Sequence, residues 1–447
     1  MNACAQQRML PVPTQSKALS ASKKIFALLC INAVIMYIDR TNISIAAPII
    51  QKELGLSYVA LGEAFSAFSV AYACFMVIGG RVGDIIGSRL GLTICGIVWA
   101  IGTICTGLIG GAVFLFLARL LVGIGESAVY PISSAVIARW IRLDRRGAAQ
   151  GMMHGSGRLG AALAPAVVTA LVIYSSWRWA FIALGLISLI VTAVVWFVLR
   201  DDPRLHPAIT DGELEDLGHS ADKADRAEVL RSPPLVWPEF IAKVWPVTVV
   251  SFCYGWFSWF LLSWMPSYFT HVHGLEIKKV AMFSTLVLVL GVVGMVAGGF
   301  STDWWLKKTG SLHRARRDII ILAFVGALLC IVPLLLTANL TIDTIALALG
   351  YFFIELADSS IWMLGMDVLP SHSATSTATV NTGFATAGAV SPIIVGWMLD
   401  ATQSWNGVFI VSIVVLLIGP VVASRIRIHQ NPAVVPGGGL TQVRSVS

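Results

Sequence analysis

Long apolar runs without two-residue alternation leave this chain few ways to fold. They fall near residues 25–47, 61–82, 90–110, 112–138, 148–173 and 179–199, and again near 242–268, 279–301, 317–337, 341–368, 374–399 and 406–426. A hydrocarbon core about 30 Å thick takes about 20 apolar residues of helix to cross. In lipid every backbone N–H and C=O must bond within the chain, so a span is a helix or part of a closed barrel. Continuous runs select helices. Composition agrees: 57% of residues are hydrophobic and only 12% charged, against about 25% charged in a soluble domain.

A polar stretch from Arg200 to about Glu239 separates six runs from six. The expected layout is a tail over 1–24, a six-helix half over 25–199, a linker over 200–241, a second half over 242–427 and a tail over 428–447. The +7 net charge sits in short loops, which suits membrane topology better than nucleic acid. Arg81, Arg89, the cluster from Arg139 to Arg146, Lys307 to Arg317, Arg425 and Arg427 lie on one side with the termini and linker. Little beyond Lys52, Arg178, Lys278 and Lys279 lies on the other. The basic side reads as cytoplasmic, with both termini inside. The run after Lys23 and Lys24 has no clean small-residue cleavage site behind it and reads as a retained first helix. Seven scattered cysteines, without a Cys-x-x-Cys or a Cys/His cluster, suggest packing roles and predict neither a disulfide frame nor a metal site.

The two halves echo each other. After the second run comes Gly80-x-x-x-Asp84-x-x-Gly87-x-Arg89, and after the eighth Gly299-x-x-x-Asp303 followed by Lys307 and Lys308. Glycine permits close helix approach, and the acid can cap a helix or pair with a basic loop residue of the facing half. Matched loops of this kind suggest duplicated halves, a transporter device. The stretch Gly80-Arg-Val-Gly-Asp-Ile-Ile-Gly-Ser-Arg89 resembles the loop signature of the major facilitator superfamily. Tyr37-Ile-Asp-Arg-Thr-Asn42, Gly125-Glu126 followed by Pro131, and Asn381 ahead of Ser391-Pro392 resemble its anion:cation symporter branch, whose members carry sugar acids and other organic acids. The resemblance covers nearly the whole chain. It implies an all-α membrane protein of twelve transmembrane helices in two pseudo-symmetric six-helix halves, placed in the bacterial inner membrane.

Ionisable groups inside a span cost at least ~2.5–3.5 kcal/mol on insertion scales, so each needs a partner, a wet cavity or a function. Asp39 and Arg40 are neighbours in the first helix and point about 100° apart. A guanidinium fork suits a carboxylate; a static ion pair with another helix is the alternative. Arg119 and Glu126 share a face of the fourth helix but lie too far apart along the axis for a direct short contact; the readings are a proton-exchanging site at Glu126 or a static Arg–Glu lock between helices. The resemblance implies that Asp39 and Glu126 are proton sites, that Arg40 binds substrate, and that Arg119 partners Glu126. Arg158 departs from sugar-acid members of the branch. It could meet a second carboxylate of the substrate, or neutralise Glu126 or Asp39. In the tenth helix Tyr351, Glu355, Asp358, Ser359 and Trp362 fall within roughly 100° of arc. The resemblance implies substrate contact for Ser359 and Trp362. It says nothing of Glu355 and Asp358, which could be proton sites or could pair with Arg40 or Arg158. Tyr37, Tyr72 and Asn381 are uncharged cavity candidates. Trp264-Met-Pro-Ser-Tyr268 reads as a kink with interfacial aromatics, and Gly147, Gly151 and Gly155 as a close-packing stripe.

The leading expectation is a secondary active transporter that imports a small organic anion (a sugar acid, a dicarboxylate or an aromatic carboxylate) by proton-coupled alternating access. The interior-negative potential opposes anion entry by about 2.3 kcal/mol per charge per 100 mV, and co-transport of two protons with a monoanion reverses that sign. The alternatives are proton-antiport efflux and organophosphate or anion exchange. Gly160-Ala-Ala-Leu-Ala-Pro165 lacks the Gly-Pro pair of efflux members, and cavity arginines suit anions. No nucleotide loop, nucleophile elbow or metal cluster favours an enzyme. No cofactor beyond the proton gradient is expected, and the partners are the substrate, protons and lipid, for a chain working as a monomer.

Overall fold

The computed structural model describes residues 20–142, 145–217, 236–369 and 373–426, and among them all regular structure is helical. The helices are α1 (Ala21–Leu54), α2 (Tyr58–Ile86), α3 (Ser88–Gly107), α4 (Ala112–Ser127), α5 (Val129–Trp140), α6 (Arg146–Tyr174), α7 (Trp177–Val198) and a short α8 (Asp211–Leu217). They continue with α9 (Trp237–His273), α10 (Ile277–Thr309), α11 (Leu312–Ile331), α12 (Pro333–Leu336), α13 (Leu340–Leu356), α14 (Asp358–Asp367), α15 (Ser373–Thr402) and α16 (Trp405–Ala423). Among the described residues twelve spans are long and apolar enough to cross a membrane, with α4–α5, α11–α12 and α13–α14 each forming one crossing. This is the expected fold class.

Local chemistry sets the ends. Ser20, Ser57, Ser176, Ser311 and Ser404 accept hydrogen bonds from the first-turn N–H groups of the helices they precede. Gly55, Gly274 and Gly310 close helices in the left-handed conformation that only glycine adopts without strain. The fourth crossing breaks at Ala128, three residues before Pro131, whose ring collides with the carbonyl four positions back and offers no N–H. The tenth breaks at Ala357, whose N–H bonds to Ile354 O at 3.0 Å, between Glu355 and Asp358.

The halves meet through α2 against α15, α6 against α10 and α1 against α9. Contact is closest at the end away from the termini. A side chain at Gly62 would strike the backbone carbonyl of Pro392, and one at Gly396 the carbonyl of Tyr58. Glycine at these two positions lets α2 and α15 touch backbone to backbone. The Asp400 carboxylate of α15 accepts from Tyr58 N (3.0 Å) and Val59 N (2.8 Å), capping the N-terminus of α2 from across the interface. An apolar cluster spans both halves here, including Ile43, Ala47, Leu61, Phe65, Trp264 and Tyr268. Trp264 packs edge-on against Phe65 with ring centroids 5.5 Å apart.

Two expectations are corrected. Trp264 and Tyr268 are fully buried within this seal rather than set at the lipid interface, because α9 runs on through Pro266 to His273. Gly151 and Gly155 face open space and pack against nothing. Close approach in α6 falls instead at Gly157, against Tyr37 and Tyr130, and at Gly160, against the backbone of Val34. The loop after α2 is anchored within its own half. Arg89 N donates to Asp201 Oδ1 (2.9 Å), Arg89 Nε donates to Trp196 O (2.7 Å), and the guanidinium lies over the Trp196 ring. Gly80 lets α2 approach Pro131, Asp303 is exposed, and the Asp84 side chain lies outside the described part. Gly299 sits near Ser359, 3.7 Å from its Oγ to an added Cβ, again inside one half.

Candidate functional site

Two arginine centres face a cavity between the halves, midway along the spans. The first is built on α1. Neighbouring residues point about 100° apart, and the structure sends Arg40 to the cavity and Asp39 away from it. Asp39 is fully buried inside its own half, where Oδ2 accepts from Ser188 Oγ of α7 (2.5 Å) and Trp99 Nε1 of α3 (3.2 Å). Arg40 Nε donates to Glu126 Oε2 at 2.8 Å. Its guanidinium lies 4.4 Å from the Tyr37 ring centroid, 4.9 Å from Tyr72 and 5.0 Å from Phe68, an aromatic cradle whose faces attract a cation.

The ion-pair partner of Glu126 is thus Arg40, on another helix, rather than Arg119, the partner that the resemblance implies. Two helical turns separate Arg119 from Glu126 by roughly 10 Å along the axis. Arg119 Nη2 reaches the Arg40 carbonyl instead, at 3.3 Å. The buried donors Arg40 Nη2 and Arg119 Nε, and the acceptors Glu126 Oε1 and Asp39 Oδ1, have no hydrogen-bond partner among the described residues.

The second centre joins the halves. Arg158 of α6 places Nη2 2.9 Å from the Tyr254 hydroxyl, 3.3 Å from Glu355 Oε2 and 4.0 Å from Asp358 Oδ1. Those three partners all lie in the second half. Glu355 also accepts from Tyr254 Oη (3.2 Å) and Ser258 Oγ (3.4 Å). Among the described residues both ion pairs that cross between halves are made by Arg158. Arg158 therefore pairs with Glu355 and Asp358, one of the pairings that the sequence left open, and not with Glu126 or Asp39. The break at Ala357 presents Glu355 and Asp358 to the same cation.

Arg40, Arg119 and Arg158 line one cavity together with Tyr37, Phe68 and Trp259. The space beside them is about 30 Å³, room for roughly two waters, so a multi-carbon anion requires the lining to move apart around it. The remaining predicted residues lie nearer the end that carries the termini. Trp362 is 38% exposed and 6.3 Å from the His154 ring. Asn381 meets Met76 across the α2–α15 interface, 3.9 Å from Nδ2 to Sδ. Ser359 lies beside α10 at Gly299. Sequence reasoning missed Tyr254 and Ser258, whose spacing of four on α9 was a usable sign of a polar face. It also missed Tyr130, stacked on His154 at 4.4 Å.

The model of the Major Facilitator Superfamily matches residues 29–390. The chain is 37% identical to the probable sulfoacetate transporter SauU of Cupriavidus necator, over 88% of this chain and 91% of that one. It is 28% identical to the hexuronate transporter of Bacillus subtilis, over 87% and 90% of the two chains. The crystal structure of a bacterial homologue of the human lysosomal transporter Spinster, in an inward-facing and occupied conformation, superposes with a TM-score of 0.72 at 16% identity, over 91% of this chain and 96% of that one.

Proposed function

The chain belongs to the major facilitator superfamily, and on that premise we propose that it imports a small organic anion together with protons, by alternating access. The observation that carries the proposal is the convergence of three guanidinium groups, Arg40, Arg119 and Arg158, on one cavity between the halves. Planar guanidinium groups bind carboxylate and sulfonate oxygens in pairs and suit anions over cations. The relatives are named a probable sulfoacetate transporter and a hexuronate transporter, which supports a small organic acid as substrate.

Glu126 holds Arg40 in the substrate-free site. When Glu126 takes a proton it stops competing for that cation, and Arg40, with Arg119 behind it, closes on the anion. Asp39 carries a second proton within the same half, tied to α3 and α7 by Trp99 and Ser188. Basic loops assign the end with the termini to the cytoplasm. The tails 1–24 and 428–447 and the linker 200–241 then lie inside, and the apolar seal closes the outer end. On this reading the conformation faces inward, and a single chain suffices for transport.

The test is uptake into proteoliposomes of sulfoacetate and of glucuronate under an imposed inward proton gradient. Uptake is expected to collapse with a protonophore. Uptake that is indifferent to the protonophore sinks the symport reading, and transport of neither acid sinks the substrate class.

A further inference from the structure

The Arg158 centre does not follow from import of a monoanion. Arg40, Arg119 and Glu126 already supply a cationic grip and a titratable partner within one half. Arg158 adds a third guanidinium on the same cavity, and among the described residues its hydrogen-bond and ion-pair partners all lie in the opposite half. Its partners carry two carboxylates for one guanidinium. With both ionised, the centre bears one net negative charge beside a cavity proposed to receive an anion. Among the described residues no further cation forms an ion pair with Glu355 or Asp358. Tyr254 and Tyr351 approach Glu355 with neutral hydroxyls, Ser258 with another, and His154 faces Asp358. From α10 and α11, also packed on α13, come Gly291, Gly294 and Gly326.

We infer that Arg158 is the subsite for a second anionic group of the substrate, and that Glu355 is its resident counter-ion, released from Arg158 by taking a proton when the substrate binds. The inference rests on the organic-anion reading above and narrows it to dianions with an anionic group at each end. The exchange is balanced. Substrate enters with one anionic group for Arg40 and one for Arg158. A proton from solution adds to a Glu355 oxygen, the Arg158–Glu355 ion pair opens, and the protonated carboxyl remains bonded to Tyr254 and Ser258, which both donate and accept. The guanidinium changes partner from Glu355 of the opposite half to the substrate, so binding at this subsite also loosens an ion pair that links the halves. A dianion thereby brings a proton that a monoanion does not need.

The test uses the full chain in proteoliposomes with matched probes, sulfoacetate against isethionate and glucarate against gluconate, each pair differing by one anionic group. Arg158→Gln is expected to lower uptake of the dianion at least 30-fold relative to its monoanion partner. Glu355→Gln, which mimics the protonated side chain, is expected to keep dianion exchange and to remove the pH dependence of its half-saturation concentration. Arg158→Lys is expected to restore part of the dianion preference, which separates loss of charge from loss of folding. Equal loss on both probes in Arg158→Gln, or an unchanged pH dependence in Glu355→Gln, overturns the inference. A wild-type chain that takes up the monoanions and rejects the dianions overturns it too, while leaving proton-coupled anion import standing. Failure to move any of the four acids instead strikes the underlying reading.

Discussion

The Arg40 and Arg158 centres use the same chemistry under different mechanical constraints. Arg40 and Glu126 belong to one half, so their ion pair can open and close while that half stays rigid. Arg158 reaches its carboxylates across the interface, so any motion that separates the halves breaks the pair. A buried charge that loses its partner costs several kcal/mol, so Arg158 must exchange partners as the halves move, whereas Arg40 need not. The first centre is suited to bind and to titrate. The second is suited to couple what is bound to the position of the halves.

The sharpest way to break this comparison is Arg40→Ala. It removes the grip and leaves Glu126 buried without its cation, and both uptake and exchange should fall on the order of 1,000-fold. Radiotracer uptake and counterflow in the same vesicles measure this, and survival of exchange would show that Arg40 is not the anion site. Glu126→Gln should separate the two readouts. Gradient-driven uptake falls on the order of 100-fold while counterflow stays within about 3-fold, and parallel loss of both would return the pair to a structural lock. A smaller effect is expected at the outer seal. Asp400→Asn weakens the cross-interface cap on α2 by about 1 kcal/mol, or roughly 5-fold in the closed-to-open ratio. Ser66→Cys, buried beside the seal, should then label faster with an impermeant maleimide in a cysteine-free background. Unchanged labelling removes Asp400 from the gate. Least of all is expected from Arg178→Gln, whose partner Glu53 is half exposed and in the same half. Its melting temperature should shift by the equivalent of about 1 kcal/mol or less, with transport unaltered.

The twelve crossings, their pseudo-repeat and the presence of charges at mid-span were legible in the chain, because hydrocarbon tolerates only long apolar helices and penalises each ionisable group. Arg40, Arg119 and Arg158 could be picked out for the same reason, and all three line the cavity. Their partners were legible only in part: the pairing of Glu355 and Asp358 with Arg158 was one option among several, and that of Glu126 with Arg40 was not foreseen. Glu126 lies 86 residues from Arg40 and meets it only because α4 packs beside α1, while Arg119, the nearer choice on the same helix face, turns to a backbone carbonyl. Helix rotation was hidden for a related reason. The lipid-facing and partner-facing sides of a span are both apolar, so periodicity does not say which side meets what. Small residues at Gly151 and Gly155 face open space, whereas Gly62 and Gly396 carry the backbone contact between halves. The sequence determined that charges would sit inside the membrane. The packing of one half on the other decided which carboxylate each of them holds.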